Sequence, residues 1–282
     1  MTVRVVTDSA SDLDAEDASA LGIAIVPLSI RFGSEEYTDR DDLTVADFYS
    51  KMDHLDVLPE TAAPSPGAFE QTFRDLHAEG ADEIVCVNLS SALSATGQAA
   101  QAAAKAVADD VTVHCVDSES ITAGLGTMVI AAAEAAREGA SGAEVVELIN
   151  ELKPRTRVFG VLDTLDNLKK GGRIGGAQAM LGTMLSIKPC VDLSSGEVVE
   201  AGKQRTRKKA LAWLLSVLAD AGTIEKLAII HGYAPDIDEF VDEAAKLVPR
   251  DEIRVAELGA VIGTHGGPRV LGVCYLTSDD NG

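Results

Sequence analysis

The chain is short of positive charge. It has 24 Lys and Arg against 45 Asp and Glu, a formal net charge of −21. A general nucleic-acid binder needs a basic face to displace the counterions of phosphates, so that class is excluded. Long apolar runs are missing too. The longest weakly polar stretch, "ITAGLGTMVIAAAEAA" (121–136), is interrupted by two glycines and a glutamate. It falls short of the roughly 20 apolar residues that span a bilayer, so no stable membrane insertion is expected. The N-terminal "MTVRVVTDSASDL" turns acidic within eight residues, unlike a secretory signal. Cysteine is sparse and scattered. Cys86, Cys115, Cys190 and Cys274 form no CxxC pair. Three of them sit in β-like runs and read as inert core thiols, in keeping with a reducing cytoplasm.

Familiar catalytic and nucleotide-binding motifs are also absent. There is no GxxxxGK[ST], so a P-loop is unsupported, and no GxGxxG follows the first strand. Asp8 follows that strand, but a haloacid-dehalogenase-like site wants Asp-x-Asp and position 10 is Ala. Asp8 or Ser9 is better read as capping the turn. No GxSxG elbow occurs; "GASGA" (139–143) is a near miss between helices. The five histidines lack metal-ligand spacing, so neither metal nor cofactor is expected.

What is present begins with an uneven charge. Residues 1–60 carry 14 acids and 4 bases, whereas residues 153–209 carry 12 bases and 5 acids. A solvated face explains such a segment; so does an anionic ligand or partner. Residues 1–155 alternate short, continuously apolar strands (3–7, 83–88, 111–116) with helical runs, the pattern of a doubly wound parallel sheet. A single strand is expected over 23–30 and a helix over 66–80, with Phe69, Phe73 and Leu76 on one face. Pro154 marks a boundary. Residues 156–282 mix adjacent strands with helices, as in a mixed α+β domain. The expected fold is therefore α/β with two domains, 1–155 and 156–282.

Three loops rich in hydroxyls or glycine stand out. In "PETAAPSPGAF" (59–69), Pro64 and Pro66 stiffen the chain and aim Thr61. "NLSSALSAT" (88–96) follows a strand and enters a helix, where ligands of open α/β sheets bind. Its hydroxyls and free helix N–H groups suit a carboxylate or phosphate. An ordinary cap accounts for one or two of Ser90, Ser91, Ser94 and Thr96, but not all four. The third stretch, "GAVIGTHGGPRVLG" (259–272), sets one His among five glycines.

"TDSASDL", "TAAPSPGAF", "SSALSATGQAA", "VLDTLDNLKKGGRIGG", "LSIKPCV" and "VIGTHGGP" stand in the order and spacing of the DegV family, which the chain resembles over nearly its whole length. The resemblance implies a two-domain fold binding one long-chain fatty acid between the domains. It also implies a role as the acyl-carrying subunit of fatty acid kinase, whose ATP-using partner makes acyl phosphate. By the same resemblance the carboxylate falls to Thr61, Ser94, the Ala95 N–H, Thr264 and His265. Arg173 and Arg205 fall to partner or phosphate contacts. Met180, Leu181, Met184 and Leu185 offer a flexible apolar wall for the acyl chain. The chain departs from the family at Ala62, Ala63, Ala95 and Arg269. A non-enzymatic carrier is expected. The competing expectation is an acyl hydrolase or transferase with Ser94 as nucleophile and His265 as base, for which no orienting acid is evident.

Overall fold

The computed structural model describes residues 1–55, 57–181 and 187–278. Strand β1 (Val3–Asp8) is apolar on both faces and buried along nearly its whole length. Helix α1 (Ala15–Leu21) ends on Gly22, whose φ of 68° reverses the chain. Strand β2 (Ala24–Val26) then runs parallel to β1. Pro27 has no N–H for a ladder, and the strand expected over 23–30 breaks there. Beyond it β3 (Ser29–Phe32) and β4 (Glu35–Thr38) form a hairpin. After α2 (Val45–His54), β5 (Glu60–Ala62) returns to pair with β3 and completes a three-stranded antiparallel sheet. Nothing in the hydrophobic pattern announces this sheet, because strands of three or four residues are too short to show a period.

The first half continues through α3 (Pro66–Ala78), β6 (Glu83–Asn88), α4 (Thr96–Ala106), β7 (Thr112–Asp117), α5 (Thr122–Arg137) and α6 (Gly142–Leu152). β6 and β7 extend the parallel sheet to the order β2-β1-β6-β7. On one face, Phe69, Phe73 and Ala100 of α3 and α4 pack on Val6, Ile84 and Cys86. Residues of α5 and α6 fill the other face with Val3, Val5 and Val85. The sheet is doubly wound, as its apolar strands require.

The second half runs β8 (Thr156–Val161), α7 (Asp166–Lys170), β9 (Lys188–Asp192), β10 (Val199–Gln204), α8 (Arg207–Ala219), β11 (Ile224–His231), α9 (Ile237–Ala244), β12 (Ile253–Glu257), α10 (Ala260–Gly266) and β13 (Leu271–Thr277). Its sheet has the order β10-β9-β8-β13-β11-β12; β11 and β12 pair in parallel and the other neighbours are antiparallel. Ala210, Leu214 and Phe240 of α8 and α9 cover one face of this mixed sheet. The other face, with Val158, Val191 and Ile230, joins the core of the first half.

Helix α5 lies in the seam between the sheets, which explains why its sequence is so nearly apolar. A Cβ on Gly124 would stand 2.7 Å from Val158 Cγ2, and one on Gly126 would stand 2.7 Å from the Ser11 carbonyl. The two glycines that interrupt the apolar run are the places where other elements touch the helix. The glycine-rich stretch 259–272, expected as a loop, instead opens with the two turns of α10.

Candidate functional site

A cavity opens in this seam. Together with its open mouth it encloses about 1060 Å³ of empty space. Leu162, Val191 and Ile230 line it from the mixed sheet; Leu28, Leu89 and Ile121 line it from the first half. Against this apolar lining stand Thr61, Ser94, Arg173 and His265.

Thr61 is the middle residue of β5, held opposite Ile30 of β3. The short antiparallel sheet thus fixes its direction. Its Oγ1 shares a hydrogen bond of 2.9 Å with His265 Nε2, across 204 positions of sequence. His265 sits on the last turn of α10, which is tied down on several sides. The Tyr49 hydroxyl of α2 donates to the Leu258 carbonyl at 3.0 Å. Asn167 Nδ2 of α7 donates to the Thr264 carbonyl at 3.0 Å. At its start, the Gly259 N–H donates to Asp12 Oδ1 at 3.0 Å.

The "KKGGR" stretch has a physical reading here. A Cβ on Gly171 would fall 2.2 Å from His265 Nδ1, so only glycine leaves room for the ring. Gly172, at φ 71°, turns the chain back. Arg173 then faces the cavity; its Nε donates to the Leu93 carbonyl and its Nη1 to the Gly171 carbonyl, at 3.0 and 2.6 Å. Burial, then the Arg173 charge, lowers the His265 pKa to about 4. The ring is therefore neutral at pH 7. Its Nδ1 is buried without a hydrogen-bond partner.

The hydroxyls of "LSSALSAT" divide their work. Ser90 is buried, and its Oγ donates to the Gly196 carbonyl at 2.7 Å, fastening the two halves. The Ser91 N–H donates to Asp117. Ser94 Oγ lies 2.9 Å from Thr96 Oγ1. Only Ser94 and Ala95 of this loop's entrance to α4 reach the cavity alongside Leu93.

Other sequence-expected residues lie elsewhere. Thr264 is buried, and its hydroxyl donates to the Ala260 carbonyl within α10 rather than lining the cavity. Met180 is buried in the core and Leu181 packs against it, neither of them in the cavity wall. Met184 and Leu185 lie outside the described residues. Arg205 is exposed on the turn before α8. Arg269, at φ 59°, donates from Nε to Asp163 Oδ2 at 2.5 Å. Asp163 also takes Lys188 at 2.6 Å. Burial pushes the Asp163 carboxyl up, but hydrogen bonds from Lys188 and Arg269 outweigh it and hold the group below its ordinary range. Arg269 thus shares the Asp163 carboxylate with Lys188 and, at 3.8 Å, with Arg207. No cluster of three or more His, Cys, Asp or Glu suited to a metal occurs among the described residues.

A family model described as "Uncharacterised protein, DegV family" matches residues 2–278. The chain belongs to the DegV family. It is 34% identical over 277 residues to a DegV domain-containing protein of Halalkalibacterium halodurans, covering 97% of this chain and 98% of the relative. Among solved structures it is similar to a DegV family protein of Thermus thermophilus described by its fatty acid binding. The identity there is 35%, the TM-score 0.90, and 99% and 100% of the two chains are covered. It is also similar to DegV of Bacillus subtilis, described as a fatty acid binding protein, at 31% identity and TM-score 0.90, with the same coverage. The mixed α/β architecture, with a parallel sheet in the first half and a mixed sheet in the second, is that of DegV structures.

Several residues that build this cavity escape a motif-level reading. Much of the cavity wall comes from Val158, Phe159 and Gly160 of β8, Val191 of β9 and Ile230 of β11, which in sequence read only as core. Tyr49 and Asn167 act through a carbonyl each, for which sequence has no signature.

The lowered His265 pKa has a measurable consequence. The folded value lies below the ordinary 6.5, so the folded state binds this proton less readily than the unfolded state. The associated stability is present above pH 6.5 and is lost as pH falls toward 4. NMR of the ring resonances should show no His265 titration from pH 8 to 5 and a midpoint near 4. A midpoint near 6.5 would contradict the buried, Arg173-facing environment.

Proposed function

We propose that this chain binds one long-chain fatty acid, with its hydrocarbon in the apolar cavity and its carboxylate at Thr61, Ser94, the Ala95 N–H, Arg173 and His265. One observation carries this assignment: an apolar cavity whose polar groups converge from four separate segments. A sixteen-carbon chain burying about 14 methylenes gains on the order of 11 kcal/mol before association costs. Its charged head must then be hydrogen-bonded, because a lone buried charge is expensive. Hydroxyls and a guanidinium meet that need. The fatty acid binding of the Thermus thermophilus and Bacillus subtilis relatives agrees with this assignment.

The chain acts as a carrier rather than a hydrolase. Ser94 Oγ engages Thr96, His265 Nε2 engages Thr61, and no carboxylate orients His265 Nδ1. A serine–histidine relay needs the opposite arrangement. The carrier presents the bound carboxylate to an ATP-dependent kinase subunit, which makes acyl phosphate. Arg205, exposed on the basic segment of an acidic chain, belongs to the docking face. The setting is cytoplasmic, where such a kinase has its ATP. No helix among the described residues is long and apolar enough to cross a membrane.

Thr61→Ala combined with Ser94→Ala removes hydrogen bonds to a charged group. The double variant should weaken binding by about 1–3 kcal/mol in a fluorescent fatty acid displacement assay. Undiminished affinity would move the head group elsewhere. Arg205→Glu should leave lipid binding intact while acyl phosphate formation by a cognate kinase falls and loses its salt dependence. Full activity with the wild-type salt response would show that Arg205 is only a solvated charge.

A further inference from the structure

The floor of the cavity is the inner face of the mixed sheet. Along β8 and just beyond it, Val158, Gly160 and Leu162 line the cavity at alternate positions. Across the ladder, Gly272 of β13 stands directly opposite Gly160. Cross-strand neighbours normally cover a sheet face with paired side chains. Here two facing glycines bare the backbone between Val191, opposite Gly160 on β9, and Ile230, opposite Gly272 on β11, with Leu162 and Val158 beyond along β8. Leu162 lies toward the His265 end, where its Cδ2 would stand 4.0 Å from a Cβ on Gly266. Val158 lies toward the start of α5, 2.7 Å from a Cβ on Gly124. Two steps of strand separate them, about 13 Å.

Glycine inside a strand is destabilising, so its presence wants a reason. Backbone conformation supplies none, since neither residue is among those with positive φ. For Gly272 packing supplies one: a Cβ there would sit 2.8 Å from the Phe159 carbonyl and 3.1 Å from Ile230 Cγ1. Gly160 is different. Among the described residues, the one neighbour within 4 Å of an added Cβ is Val191 Cγ2 at 3.6 Å, an ordinary contact. Among the described residues, no packing neighbour demands glycine at 160. The space left by its missing side chain belongs to the cavity.

We infer that Gly160 is a specificity-determining residue, keeping the middle of the cavity floor bare so that an acyl chain can pass from the His265 end to the region of Val158. The inference rests on the fatty acid assignment above. The length of chain accepted is then set at position 160, and a side chain there acts as a stop.

The test is a titration of saturated fatty acids, from eight to twenty carbons, against wild type, Gly160→Ala and Gly160→Val. Wild-type affinity should rise with length by about fourfold per methylene until the cavity is full. The Gly160→Val curve should coincide with wild type for the shortest acids and then stop rising at a shorter chain. For the longest acids it should end about tenfold or more weaker, the loss expected when two methylenes are excluded. Gly160→Ala should move the break in the same direction by less. It also keeps the test open if valine impairs folding, because a methyl fits beside Val191. Thermal unfolding without ligand should place Gly160→Ala near wild type and Gly272→Ala well below. Equal weakening at every length, or an unchanged curve in both variants, would overturn the inference while leaving fatty acid binding in place. Wild-type protein that binds no acid of any length would overturn the fatty acid assignment itself.

Discussion

A buried carboxylate, Asp12, holds the two halves of the molecule in the arrangement that makes a cavity. Its Oδ2 accepts the Thr122 hydroxyl at 2.6 Å. Its Oδ1 accepts Arg40 Nη2 at 3.1 Å and the Gly259 N–H at 3.0 Å. One side chain thereby joins the loop after β1, the start of α5 in the seam, and the start of α10. Burial raises its pKa to about 6, even against the Arg40 charge. That shift measures how dry the junction is. Without this tie α10 would lose its anchored end, and His265 its fixed distance from Thr61.

The neighbouring Asp8 does the same for the parallel sheet. It accepts the Ala10 N–H after β1, and the Asn88 side chain and Leu89 N–H after β6. It too is fully buried, with a pKa raised to about 6 by desolvation. "TDSASDL" is thus a structural clamp at the carboxyl ends of two strands. The sequence-level preference for a capping Asp8 over a catalytic one agrees with that role.

Much of the fold was legible because its strongest signals are local. Continuous apolar runs mark β1, β6 and β7, and Phe69, Phe73 and Leu76 mark the buried face of α3. What stayed hidden depends on partners distant in the chain. β5 exists because β3 pairs with it, and its three residues carry no period of their own. α10 forms across two of the stretch's five glycines because Asp12, Tyr49 and Asn167 hold it, overriding weak helix propensity. At the site, the motifs pointed to the segments carrying Thr61, Ser94 and His265, but the 2.9 Å approach of Thr61 to His265 is a tertiary fact. "AMLGTMLSI" offers an adaptable apolar wall through its methionines, and residues 182–186 of it lie outside the described residues. The described part of the wall uses residues of β8, β9 and β11 that look, in one dimension, like any other core.

The proposed function rests on a fatty acid held in the seam between the sheets. Native mass spectrometry of the purified protein, followed by lipid extraction, tests it directly. The predicted result is one adduct per chain, released on denaturation as free long-chain fatty acid, with the apo form taking up one equivalent when fatty acid is supplied. Folded protein that carries no lipid and takes up none from a saturating supply would contradict the account.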